Sequence, residues 1–329
     1  MLGYLARRLL LAILTIWAVS VLSFAIIQLP PGDYVTAYIA NLEASGGIVH
    51  AEEAVALREM YGLGQPMYVQ YFRWVSRMVE GNFGHSMEWN RPVTHVIGDR
   101  LWLTVIVSFF SLALTWMLAL PIGIYSAVKQ YSLGDYFATL VGFVGLAVPD
   151  FLLGLVLMYL GFIWFDANIG GLFSPGYAEA SWSMAKVWDL IKHLPLPALI
   201  IGLSGTASMI RVMRANLLDE LRKPYVVTAR ARGLPERNLI LKYPVRVALN
   251  PFASTIGFLF PVLVSGSIIV SLVLSLPTVG PILLRALVSQ DMFLAGTIVL
   301  LLGVMTVIGI LISDIILMWI DPRIRMEGR

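Results

Sequence analysis

Residues 101–128 read LWLTVIVSFFSLALTWMLALPIGIYSAV, an unbroken stretch of 28 residues without a charged side chain. A helix rises 1.5 Å per residue, so about 20 apolar residues cross a hydrocarbon core of about 30 Å. In lipid a helix also satisfies its own backbone N–H and C=O groups, which an irregular segment cannot do. Five further segments pass the same test: Leu9 to Leu29, Tyr136 to Phe165, Leu194 to Leu217, Val247 to Leu274 and Met292 to Ile320. The expectation is an all-α polytopic membrane protein with six transmembrane helices. Composition agrees, because 58% of the 329 residues are hydrophobic and 13% charged, whereas soluble domains carry about a quarter charged residues. The opening MLGYLARRLLLAILTIWAVSVLSFAIIQL has the Arg7-Arg8 pair of a signal peptide. Its apolar stretch is too long for one, and no small-residue cleavage site follows. It reads as a retained first span.

Lysine and arginine bias sets the orientation. With six spans, the N-terminus, residues 129–135, residues 218–246 and the C-terminus share one side. That side holds 15 of the 23 basic residues, with Arg211 and Arg214 counted, against six acids; the other side holds eight basic residues and twelve acids. Both termini are therefore expected in the cytoplasm, in a bacterial cell (inner) membrane. The divisions follow: 1–29, tail and first span; 30–100, an extracytoplasmic subdomain; 101–320, the membrane core with an internal loop at 218–246; 321–329, a tail. Within 30–100, Ala51 to Tyr61 and Met67 to Glu80 read as helices, separated by the breakers Gly62, Gly64 and Pro66. Tyr68, Tyr71, Phe72, Trp74 and Val75 give the second an apolar or interfacial face. Asp166 to His193 is a second external loop. Leu276 to Gln290 is too short and broken to span, and reads as a turn or a shallow re-entrant segment.

The same reading excludes most chemistry. Catalysis needs a nucleophile with a base, or clustered metal ligands; the four histidines, His50, His85, His95 and His193, are scattered, and the chain lacks cysteine. No catalytic or metal-binding residue is assigned. A P-loop needs Gly before its Lys, but Lys129, Lys186, Lys192, Lys223 and Lys242 follow Val, Ala, Ile, Arg and Leu. The basic residues form no stripe with interleaved aromatics, so nucleic acid is not an expected partner, whereas membrane lipid is.

The internal loop is the specific signal. Tyr225 to Arg232 fits a two-turn helix ended by Gly233 and stopped by Leu234-Pro235. Thr228, Ala229 and Ala231 are small enough for a partner to approach, and Arg230 and Arg232 stay solvated or pair with acids. The stretch YVVTARARGLPERNLILKYPVRVALNP resembles the EAA loop of importer permeases of the ATP-binding cassette (ABC) class. More narrowly, it is similar to that of the B-type permease of dipeptide and oligopeptide importers. Tyr4-Leu5-Ala6-Arg7-Arg8, Pro31-Gly32-Asp33, Tyr61-Gly62-Leu63 with Pro66, and Asp321-Pro322-Arg323-Ile324-Arg325 extend the likeness from end to end.

The resemblance implies a type I ABC importer permease fold and a coupling helix at Tyr225 to Gly233, with Tyr225, Val226, Thr228, Ala229, Arg230, Arg232 and Gly233 engaging an ATPase. It implies a second homologous permease subunit, two cytoplasmic ABC ATPases and an extracytoplasmic solute-binding protein. ATP and Mg would sit on the ATPases, with no cofactor in this chain. The cargo is a peptide or another small solute, such as an oligosaccharide, a nickel chelate or glutathione. Two departures touch subfamily: Pro224 replaces a common acid, and Leu276-Pro277-Thr278-Val279-Gly280-Pro281 replaces Pro-Gly-x-Gly. The alternatives are an ion-gradient-driven secondary transporter, for which the chain has one deep acid and no evident repeat, and a structural membrane subunit.

Inside the spans, Asp150 follows Pro149, about 21 Å along the third helix. It contacts a cationic or hydroxyl-bearing substrate, or holds a proline kink by an interhelical hydrogen bond. Ser204 and Ser208 share a helix face that lines a pathway or packs on a neighbour. Arg211 and Arg214 are expected to snorkel to headgroups or to meet Asp314.

Overall fold

The computed structural model describes residues 2–28, 35–36, 39, 55–56, 58–59, 64–165, 170–250, 252 and 268–320. The elements among them are α1 (Leu2–Gln28), α2 (Met67–Val79), β1 (His85–Ser86), β2 (Arg91–Pro92), α3 (Val93–Val128), α4 (Leu133–Ala147), α5 (Asp150–Phe165), α6 (Met184–His193), α7 (Pro195–Leu221), α8 (Pro224–Ala231), α9 (Glu236–Lys242), α10 (Pro244–Ala248), α11 (Val279–Val288) and α12 (Met292–Ile320), and residues 268–273 are helical as well. Four of these, α1, α3, α7 and α12, are long and apolar enough to cross a membrane, and a fifth span results if α4 and α5 together make one.

The third expected span is not one helix. Val148 leaves the helical region and Pro149 follows, so α4 and α5 meet at 102°. Proline removes a backbone donor and disfavours the helical conformation of the residue before it, which is where the chain breaks. Asp150 therefore opens a second helix, and a depth counted along a single straight span does not apply to it. The fifth expected span, Val247 to Leu274, and the expected helix Ala51 to Tyr61 lie mostly outside the described residues. Met67 to Glu80 is α2 with Glu80 as its C-cap. Several elements escaped the sequence reading: the β1–β2 hairpin, α6 inside the loop from Asp166 to His193, and α9 and α10 after the first loop helix; α11 lies inside the segment read as a turn or a shallow re-entrant segment.

The chain divides into two compact units: Met1–Trp102 with Thr278–Val307, and Leu103–Pro277 with Ile308–Arg329. In the first, α2 lies on α1 and α12. Tyr71 and Trp74 pack on Phe24, with ring centroids 5.5 and 5.8 Å away. A Cβ on Gly296 would stand 3.0 Å from Trp74. The hairpin, in register His85 with Pro92, is tied to the start of α12: Ser86 Oγ donates to Asp291 Oδ2 at 2.6 Å, as does Glu88 N at 3.1 Å. Asp291 also caps α12, accepting from Leu294 N at 3.1 Å. Arg285 of α11 bonds Glu88 at 2.9 Å and lies over the Trp89 ring.

In the second unit α7 is the central helix. Its small residues admit α3 closely: a Cβ on Gly202 would come 2.6 Å from Thr115 Oγ1, and one on Gly123 of α3 2.6 Å from Met213 Cβ. Close approach through small residues is the usual basis of helix association in lipid, where hydrophobic burial contributes little. One apolar cluster, including Leu103, Val107, Leu190, Ile200 and Leu274, occupies one end of this unit. Above it, Lys186 is buried, donates to Ala180 O at 2.6 Å and lies over the rings of Phe173 and Trp182. The other cluster, including Ala119, Ala127, Met213, Leu217, Val226, Leu239 and Phe252, joins α3 and α7 to the loop helices.

Candidate functional site

The loop at 218–246 folds as three short helices. Proline opens α8 at Pro224, where a missing N–H costs nothing. Arg232 N donates to Thr228 O at 3.1 Å and Gly233 N to Arg230 O at 3.0 Å. Gly233 has φ +75, a left-handed conformation that glycine adopts without a Cβ penalty. Pro235 then starts the turn into α9. These are the bounds expected from the sequence, displaced by one residue.

The helix is anchored by one side chain. Val226 is fully buried in the cluster shared by α3 and α7, and Ala229 packs at its edge. Tyr225, Val227, Thr228, Arg230 and Arg232 are exposed. Arg230 forms a two-pronged pair with Glu236, at 3.1 Å from Nε and 2.6 Å from Nη2. This pair ties α8 to α9, raising the arginine and lowering the glutamate pKa through their hydrogen bonds. Tyr225 donates to Glu220 at 2.6 Å, and burial followed by that carboxylate pushes its phenol up. The loop thus carries a short helix with an apolar root in the spans and a largely exposed outer face on which Val227 stands among polar side chains.

Among the expected intramembrane residues, Ser204 donates to Asp150 Oδ2 at 3.2 Å, an α7 to α5 link. The other oxygen, Oδ1, is buried without a hydrogen-bond partner among the described residues. Ser208 is half-buried one turn along α7. Thr206 instead bonds back to Gly202 O within its own helix. Arg214, expected to snorkel to headgroups or to meet Asp314, takes a partner that was not expected. It donates to both oxygens of Asp135, each at 2.9 Å, joining α7 to α4. A planar two-pronged guanidinium–carboxylate pair satisfies both charges at once. Sequence reasoning missed Asp135, although its signal was present: Ser132 caps α4 by accepting from Asp135 N at 3.2 Å, the Ser-x-x-acid pattern of a helix start. Asp291 was missed as well, where an acid directly precedes a long apolar run.

Apolar helices long enough to span, associated through glycine-lined crossings and carrying a compact helical loop on their ends, are the build of a multi-pass membrane protein. Residues 119–326 match the family model of the binding-protein-dependent transport system inner membrane component, and residues 1–108 match that of the N-terminal part of such components. The chain belongs to this family. The chain is similar to the oligopeptide transport system permease protein AppB of Bacillus subtilis, 34% identical over 98% of this chain and 99% of the relative. Similarity extends to the inner membrane ABC transporter permease protein YejB of Escherichia coli O157:H7, 30% identical over 99% and 100%. The glutathione transport system permease protein GsiC of Salmonella paratyphi A is 31% identical over 99% and 100%. The chain is thus a permease subunit of a binding-protein-dependent ABC importer in the bacterial inner membrane, and not an enzyme. This replaces the secondary-transporter alternative.

Proposed function

We propose that this chain spans the membrane six times with both termini in the cytoplasm and forms half of a translocation pathway with a second, homologous permease. Two cytoplasmic ATPases hold ATP and Mg, and an extracytoplasmic solute-binding protein delivers the cargo. The cargo is a small peptide or a peptide-like solute, by analogy with relatives named for oligopeptide and glutathione transport. The observation that carries the reading is α8. Its root, Val226, sits in the apolar cluster of α3 and α7, so displacement of α8 by a closing ATPase moves those spans as a body. Tyr225, Thr228, Arg230 and Arg232 offer the outer face, and Gly233 ends the helix. Alternating access is then a two-state equilibrium biased by nucleotide.

The absence of cysteine makes this directly testable. A Thr228→Cys variant should cross-link to a single-cysteine ATPase partner, with a yield that changes between nucleotide-free and ATP-bound states. No cross-link to any face of the co-expressed ATPase, with membrane insertion intact, rejects α8 as the coupling helix.

Asp150, Ser204 and Ser208 are proposed to face the pathway. Asp150 Oδ1, buried and without a hydrogen-bond partner among the described residues, supports this. Asp150→Asn should change transport rate or the preference for cationic over neutral cargo in reconstituted vesicles. Unchanged values for both leave Asp150 as a link between helices only.

A further inference from the structure

Helix α2 turns three different faces to three directions. Successive residues rotate by about 100°, so Tyr71 and Trp74 share the face packed on α1 and α12. Tyr68, Phe72 and Val79 lie on one flank, with Tyr68 and Phe72 each 67% exposed. Arg73 and Arg77 lie on the other, exposed flank, and neither forms an ion pair among the described residues. Between the flanks runs a groove of about 510 Å³ lined by Tyr68, Phe72, Arg73, Ser76, Arg77 and Glu80.

Two hydrogen bonds orient this helix against a membrane-spanning one. Gln70, beside the arginine flank, accepts from Gln28 Nε2 at the end of α1, at 3.2 Å. Tyr71, beside the aromatic flank, reaches Ser20 at 2.8 Å, about 12 Å deeper along α1 at 1.5 Å per residue. Gln28 also donates to Met292 Sδ at 3.0 Å, so the start of α12 is level with the end of α1. The flank of Tyr68 and Phe72 is therefore turned toward the middle of the spans, and the arginine flank toward their ends. An interfacial helix needs this order: aromatic side chains at the acyl boundary and cations among the headgroups.

We propose that α2 lies in the membrane interface and seats a phospholipid of the surrounding leaflet, with Arg73 and Arg77 gripping its phosphate and its acyl chain lying against Tyr68 and Phe72. Guanidinium groups bind phosphate oxygens in two-pronged fashion. One turn apart, the two reach a single headgroup, and with Glu80 nearby the flank keeps a net positive charge that favours anionic lipid.

This goes beyond the importer reading and needs neither ATPase nor cargo, so its failure leaves that reading standing. The full chain is reconstituted into vesicles of equal parts phosphatidylglycerol and phosphatidylcholine, with a nitroxide on Phe72→Cys or Glu80→Cys. Collision with oxygen should exceed collision with a water-soluble nickel chelate at position 72 and fall below it at position 80. In parallel, an Arg73→Gln/Arg77→Gln variant should retain several-fold less phosphatidylglycerol through detergent purification, read by native mass spectrometry, with phosphatidylcholine unchanged. A water-accessible label at position 72 overturns the proposal, and if adding the solute-binding protein then shields it, the face is a protein dock. Equal lipid retention in the two proteins removes the phosphate grip. Should the double variant fail to fold, the label experiment still decides whether α2 lies in the interface, and phosphatidylglycerol retention by the single Arg73→Gln and Arg77→Gln variants decides the phosphate grip.

Discussion

Asp135 and Arg214 are the residues whose loss should cost most. The Asp135 side chain is 3% exposed and that of Arg214 28%, so deleting one partner leaves the other charge poorly solvated. Breaking a buried pair costs about 3–5 kcal/mol, and the partial exposure of Arg214 places Arg214→Ala near the lower end, about 3 kcal/mol. The thermal midpoint of the purified permease should fall accordingly, and Asp135→Asn/Arg214→Gln, which leaves no lone charge, should recover part of the loss. Recovery of nothing would show that packing rather than charge holds α4 to α7. A second carboxylate sets a pH dependence outside the spans. Burial alone would raise the pKa of Asp189, but hydrogen bonds from Ser174 N and Oγ at 2.7 and 2.8 Å, with His193 and Lys192 nearby, hold it below its ordinary 3.8. The unfolded state then binds the proton more readily than the folded one, so this carboxylate stabilises its loop fully above about pH 4 and loses that effect as pH falls further. Tryptophan emission from Trp182 and Trp188 should report loosening on acidification in the native chain, and Asp189→Asn should flatten that response.

Among the elements, α8 and the crossing of α3 with α7 carry opposite demands on glycine. At Gly233 the issue is conformation, because no atom lies near its absent Cβ while its φ is +75. Gly233→Val forces a β-branched residue into the left-handed region at a cost of about 1–3 kcal/mol. It should fray the end of α8 and weaken stimulation of the ATPase by cargo, with little change in the thermal midpoint of the spans. At Gly123 the issue is space. An added methyl meets Met213 Cβ at 2.6 Å and Ile210 O at 3.0 Å, so Gly123→Ala overpacks the crossing by about 1–3 kcal/mol. That variant should lower the thermal midpoint, and Gly123→Ala/Met213→Ala should restore some of it. An unchanged midpoint in Gly123→Ala means that the helices separate freely.

For the whole molecule, the proposed topology makes a vectorial prediction. Single cysteines at Ser132 and Gly233 should react with an impermeant thiol reagent only from the cytoplasmic face, and one at Gly176 only from the other; any reversal removes the six-span arrangement. Much of this was legible in the chain. Uncharged runs of more than 20 residues, together with Pro224, Gly233 and Pro235, report local or one-dimensional physics, namely the thickness of the bilayer and the stereochemistry of single residues. Those determined the membrane class, the existence of α1, α2, α3, α7 and α12, and the bounds of α8 to within a residue. Only the tertiary structure decided that Arg214 pairs with Asp135 and not Asp314, that Asp150 opens a second helix and accepts from Ser204, and that Val226 roots the loop in the spans. Each is a choice among partners distant in sequence, made by which faces and small residues come together when the helices pack, and no local pattern ranks those partners.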